Sequence, residues 1–223
     1  MSDITQTIIE LKTQAKNRRD LKRWDRAAAL IMEAIGLAET EYNSTEAREW
    51  RVKMAIELAD CWGILGGLER RRALEPASGG AQRQEHLRRS IDAYDKGYEY
   101  EKEALGSGNS TYNQLNRLLV RLLACDGTVD LRAEFEKLRP KLATVAEQIS
   151  SRPIDNVWSA ADMALLNILL GRQDAATAYA PFERMQPPDF ARQSALEMLI
   201  PLAKLDLPNA KALRDAERRL GPR

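Results

Sequence analysis

The sequence predicts an all-α fold, an α-solenoid of about five antiparallel helix pairs, and three observations point to it. Hydrophobic residues make up 44% of the chain but aromatics only 6%, and no β-branched run alternates with a period of two. Apolar residues recur instead at helical spacing, in segments separated by Gly, Pro and Asn punctuation. Several segments also carry, in chain order, pieces of one internal repeat, the signature of stacked helix pairs. A single helical-repeat domain over residues 1–223 is expected, with an N-terminal pair in 1–44, motif-bearing repeats in 45–150 and degenerate repeats in 151–223.

Taken in order, the first helix covers Asp3 to Arg18, with Ile4, Ile8, Leu11 and Ala15 on one face. The second runs from Trp24 to Tyr42, where Ala27, Ile31 and Ala34 allow close helix approach. After the turn Asn43-Ser44-Thr45, Thr45 is expected to cap a third helix that carries Glu46 and Glu49 in its first turn, reaches Leu74 and stops at Pro76. Glu75 to Gln82 reads as a loop. The fourth helix, Arg83 to Leu105, turns Ile91, Tyr94 and Tyr98 inward and ends at Gly106-Ser107-Gly108. Asn109 or Ser110 caps a fifth through Leu123, closed by Asp126-Gly127. A sixth, Val129 to Ile149, should be kinked or split by Pro140. The seventh, Asn156 to Leu170, closes on Gly171, and the eighth covers Asp174 to Met185. Pro187-Pro188 precedes the ninth, Phe190 to Leu205, which holds Pro201, and Pro208 opens the tenth in its first turn.

The tetratricopeptide repeat of about 34 residues pairs W-x2-L-G-x2-Y in its first helix with A-x3-F and then Pro. Trp62-x2-Leu65-Gly66-x2-Glu69 fits the first helix except at the last position, and Ser90-x3-Tyr94-x2-Gly97 fits the small-large-small second. Tyr112-x2-Leu115-Asn116-x2-Leu119 begins another copy, Ala27-x3-Ile31-x2-Ala34 ends an earlier one, and Ala176-x3-Ala180 with Pro188 is a degenerate fourth.

If Trp62 and Leu65 pack between helices, Gly63, Gly67, Arg70 and Arg71 form a stripe on the other side of the third helix. The matching stripe after Tyr112 is Asn113, Arg117 and Arg121. The expected ligand-binding set is therefore Gly63, Gly67, Arg70, Arg71, Tyr112, Asn113, Asn116, Arg117 and Arg121. Glycines there would admit a ligand or a neighbouring backbone, and arginines present planar forks to carboxylate or phosphate oxygens. The same basic run would also arise on a solvated helix face pairing with nearby Glu, and Gly66 is accounted for by helix packing alone.

Thirty-four Lys and Arg against thirty-three Asp and Glu exclude a global field toward nucleic acid or membrane. RNA binding through Lys12, Lys16, Arg18, Arg19, Lys22 and Arg23 lacks interleaved aromatics. No apolar stretch is long enough for a membrane span, and the N-terminus lacks a secretory pattern, so a cytoplasmic protein is expected. Cys61 and Cys125 are expected to be buried free thiols. The sole histidine, His86, has no nucleophile at a motif spacing and is expected on the surface. With no P-loop, HExxH or paired cysteine ligands, no catalytic residue, metal or cofactor is expected.

The Cys61-x-Gly63 helix with its Gly-Gly and basic residues, then Ser90 to Glu99, then Tyr112-x3-Asn116-x2-Leu119 resemble a tetratricopeptide-like sensor region. It is the one known as the TRAF-binding region of apoptosis signal-regulating kinases, with bacterial relatives in conflict systems near TIR domains. The resemblance covers Ala55 to Leu123. Against the family's Gly-Arg-Ile-Tyr-Lys-Asp, Gly66 keeps the Gly, while Gly67, Glu69, Arg70 and Arg71 stand for Arg, Tyr, Lys and Asp. The resemblance implies a regulatory sensor or scaffold, of a kind proposed in bacteria to bind a nucleotide derived from NAD. Together with the arginine stripe, it suggests a non-enzymatic protein that binds an anionic ligand and relays that to an effector or signalling partner. A scaffold that takes an acidic peptide or a partner helix in the same groove is the alternative.

Overall fold

The computed structural model describes residues 2–106, 111–125 and 130–221. The expected caps at Asn109 or Ser110, the stop at Asp126-Gly127 and the start at Val129 lie outside these. Among the described residues there are ten helices and no strand, as the helical periodicity predicts. The helices are α1 (Ser2–Asp20), α2 (Trp24–Ser44), α3 (Arg48–Ala73), α4 (Gly80–Leu105), α5 (Tyr112–Ala124), α6 (Leu131–Ser150), α7 (Val157–Leu169), α8 (Ala175–Arg184), α9 (Asp189–Ala203) and α10 (Ala210–Leu220). None is long and apolar enough to cross a membrane. The chain forms two compact units, residues 1–120 and 121–223.

In the first unit the polar contacts between helices fix direction and register. Lys12 on α1 bonds Glu57 and Asp60 on α3, and Lys22, just past α1, reaches Glu75, just past α3, so α1 and α3 run parallel. Trp50 at the start of α3 bonds Glu41 at the end of α2, while Arg72 at the end of α3 bonds Asp25 at the start of α2, so those two run antiparallel. Glu69 meets His86, Gly66 meets Ser90, and Lys96 stacks on Trp62, which sets α4 antiparallel to α3. First helices α1 and α3 thus share one direction and second helices α2 and α4 the other, the tetratricopeptide arrangement. The core between them is built from Ile8, Ala27, Ile31, Ala34, Met54, Leu58 and Trp62 among others. Cys61 and Cys125 are buried and unlinked, and burial pushes the Cys61 thiol up to about 12.

Four local expectations are corrected. Thr45 does not cap α3: α2 persists through Ser44, Thr45 ends it in extended backbone, and α3 starts at Arg48 after an Ala47 with no side-chain cap. The Thr45 hydroxyl accepts instead from the Ala47 N–H, a turn that competes with capping. The loop after α3 is shorter than its Gly and Ser content suggests, because α4 already begins at Gly80. At Pro140, where a kink or a split is expected, the split does not occur and α6 continues through the proline. The tenth helix starts at Ala210, behind Asn209, and leaves Pro208 outside.

The second unit is built from α6 to α10, where α7 packs on α8 and α9 on α10. Side-chain caps explain three of its starts: Asp130 accepts from Arg132 N and Ala133 N, Asn156 from Ser159 N, and Asp174 from Thr177 N. Gly171 follows α7 with φ +69° and closes it as expected. Phe135, Tyr179 and Phe182 are its largest fully buried aromatics.

Candidate functional site

From Ala59 to Arg70 almost every residue of α3 is buried, so this half of the helix is enclosed by its neighbours. What encloses it explains its glycines. A Cβ on Gly66 would stand 2.9 Å from three ring atoms of Tyr94, which is fully buried on α4. Ser90, one turn earlier on α4, donates its hydroxyl to the Gly66 carbonyl at 2.7 Å. Gly63 and Gly97 face each other across Asn113: a Cβ on either would fall 2.8 or 2.7 Å from that side chain. Asn113 sits fully buried in this notch and donates its Nδ2 to the Ala59 carbonyl at 3.1 Å, while its Oδ1 has no partner.

Arg70 occupies the next turn. It is only 6% exposed, its Nη1 donates to Asn116 Oδ1 at 2.9 Å, and its Nε is buried without a partner. Among the described residues no carboxylate pairs with it. Asn116 is itself held by donating Nδ2 to the Tyr112 carbonyl at 2.9 Å. Arg71 is half-buried and donates Nη1 to the Gly67 carbonyl at 3.4 Å. The Tyr94 hydroxyl is buried and unpartnered, and the Tyr94 and Tyr112 rings meet edge-on with centroids 6.3 Å apart.

Tyr112 is 49% exposed on one side and packs its ring edge against Tyr94 on the other. Desolvation holds the phenol above its ordinary range, the Tyr94 hydroxyl adds to that, and Arg70 and Arg71 pull the other way. Arg71 Nη1 and the Tyr94 hydroxyl lie beside Gly67, the Tyr112 ring meets that of Tyr94, and Asn116 joins Arg70 to the Tyr112 carbonyl, so the two guanidiniums, two tyrosines and the Asn116 amide share one neighbourhood. Such a set, donor-rich with a charged guanidinium kept from water, suits an anion. A Cβ on Gly67 would meet only Arg71 Nη1 at 3.2 Å and Tyr94 Oη at 3.5 Å. Gly67→Ala is therefore expected to stabilise the first unit by about 0.5 to 1 kcal/mol through helix propensity, read as a higher midpoint in urea.

The structure separates the nine residues expected to bind ligand. Arg70, Arg71, Tyr112 and Asn116 come together at Gly67. Gly63 and Asn113 form the packing notch instead, because the missing side chain of Gly63 makes room for α5. Arg117 pairs with Asp95 and lies 4.9 Å over the Tyr98 ring. Arg121, one turn beyond Arg117 on α5, belongs to the second unit. His86 is not a surface residue: its ring bonds Glu69 at 2.6 Å, with both side chains nearly covered. Tyr94 is the member of this neighbourhood absent from the expected set. Its inward position, the large residue between Ser90 and Gly97, is the signal the sequence carries for it.

Stacked antiparallel helix pairs, first helices running one way and second helices the other around an apolar core, define a helical-repeat protein of the tetratricopeptide class. Residues 3–122, more than half of the chain and nearly all of the first unit, match the Tetratricopeptide Repeats-Sensor family, and the chain belongs to it. No curated protein and no solved structure matches the sequence.

Proposed function

We propose that the protein is a regulatory sensor whose first unit binds an anionic ligand beside Gly67 and relays its presence to a partner effector. Arg70 carries the reading. A guanidinium that is 6% exposed, bonded to one neutral amide and paired with no carboxylate among the described residues leaves a buried charge uncompensated, a costly arrangement that an anion would relieve. Arg71 at the more open edge would hold a second oxygen, and the Tyr94 and Tyr112 hydroxyls would complete the shell. A phosphate-bearing nucleotide derived from NAD fits this donor set, with the half-exposed Tyr112 ring available for stacking.

Calorimetric titration with ADP-ribose, NAD and pyrophosphate tests it. Each charge-assisted hydrogen bond contributes about 1.5 to 3 kcal/mol, so Arg70→Met is expected to weaken binding by about tenfold or more. The unliganded variant should be at least as stable as the parent chain, since an uncompensated buried charge is replaced by an apolar side chain of similar length. Equal affinities for parent and variant, or no binding of any of the three ligands, would overturn the reading.

A further inference from the structure

Three of the eight exposed large hydrophobic residues among those described, Ile56, Leu105 and Tyr112, line one open cleft of about 250 Å³. They come from three helices: Ile56 from the N-terminal half of α3, Leu105 from the end of α4 and Tyr112 from the start of α5. Small Ala59 and Ala104 complete the apolar lining and leave the cleft its depth. Its volume falls below the range of sites that enclose a whole cofactor or drug-sized molecule, and is suited to one or two side chains.

The charge at its rim has one sign. Asp60 and Glu101 line the cleft, and no Lys or Arg does. Lys12 on α1 bonds both Glu57 at 2.5 Å and Asp60 at 2.8 Å, so two carboxylates share one ammonium and one negative charge is left over. The Lys12 side chain is 12% exposed and that of Asp60 48%, so Asp60 presents that excess to solvent. An apolar depression of this size with an acidic lip is complementary to an apolar side chain that has a lysine or arginine beside it.

We infer that this cleft docks a segment of the partner effector in which an apolar side chain lies next to a basic one, as on one face of an amphipathic helix. The inference rests on the relay reading above and gives it a physical route. Tyr112 lends its half-exposed ring to the cleft, meets the Tyr94 ring edge-on and accepts at its carbonyl from Asn116, the partner of Arg70, so one residue borders both places.

Fluorescence anisotropy with a labelled helical peptide of leucine and lysine, compared with the same peptide carrying glutamate for lysine, tests the docking surface. The lysine peptide is expected to bind in the micromolar range, and the glutamate peptide at least tenfold more weakly. Ile56→Asp and Asp60→Lys should each weaken the lysine peptide about fivefold or more, while Glu136→Lys on α6 leaves it unchanged. Equal binding of the two peptides, or of the parent chain and both cleft variants, overturns the inference. Neither result depends on the anion site, because Arg70→Met is expected to keep full peptide affinity and Ile56→Asp full affinity for the anionic ligands. Loss of peptide binding in the Arg70→Met chain would likewise contradict a separate cleft.

Discussion

A Gly66→Val chain is expected to lose about 3 kcal/mol of first-unit stability. The obstacle is specific. A Cβ at this position already stands 2.9 Å from three ring atoms of Tyr94, before the two γ-methyls are added. The ring cannot swing into solvent because Tyr94 is fully buried, and α4 is tied to the same carbonyl by the Ser90 hydroxyl. Helix propensity favours valine over glycine by only a few tenths of a kcal/mol, too little to offset the overlap. Urea unfolding followed by far-UV circular dichroism gives the loss. If the ring is the cause, Tyr94→Leu in the Gly66→Val background should recover about 1 kcal/mol or more relative to additivity. A Gly66→Val chain within about 0.5 kcal/mol of the parent would show that α3 and α4 part without strain. Gly67→Ala is expected to stabilise for the converse reason: of these adjacent glycines, one lies under a buried ring and the other under the far end of the long Arg71 side chain, which can shift by a few tenths of an ångström.

Helices and their pairing are legible in the sequence because apolar spacing and the small-large-small pattern of Ser90, Tyr94 and Gly97 report directly on packing. Each of those residues has the contact its size suggests: a hydroxyl on the Gly66 carbonyl, a ring on its Cα, and a notch for Asn113. What is not legible is which side of α3 is open. A glycine stripe reads the same whether it admits a ligand or a neighbouring helix, and Gly63 admits α5. Periodicity gives no help there, since α3 is buried nearly all round from Ala59 to Arg70 and its enclosed face includes Glu69 and Arg70. Hydropathy places such charges outside. Only the geometry shows that Glu69 is matched by His86 while Arg70, the next residue, has no carboxylate among the described residues. The boundary between α2 and α3 escapes for a related reason: a Thr hydroxyl that could cap a helix can equally hold a turn.

In the second unit the largest expected effect is a pH-dependent gain from Asp162→Asn. Asp162 lies on α7, has no cation or hydrogen-bond donor among the described residues, and is close enough to Tyr179 on α8 to raise that phenol as well. Desolvation alone carries its carboxyl from the ordinary 3.8 up to about 7. Below pH 4 the carboxyl is protonated in both the folded and unfolded chain, and the group contributes nothing to the pH dependence. Between pH 4 and 7 the unfolded chain has released the proton while the folded one retains it, so the unfolded state binds fewer protons and stability falls as pH rises. Above pH 7 the loss is complete and constant. At about 1.4 kcal/mol for each pH unit of that interval, and allowing for the partial exposure of Asp162, the loss amounts to roughly 2 to 4 kcal/mol. The amide introduced by Asp162→Asn cannot ionise, so the variant should match the parent near pH 4 and exceed it by that amount at pH 8. Native-state hydrogen exchange of α7 and α8 amides at the two pH values reads the difference within this unit alone. A parent chain whose α7 amides are as well protected at pH 8 as at pH 4 would mean that Asp162 is solvated or paired when ionised.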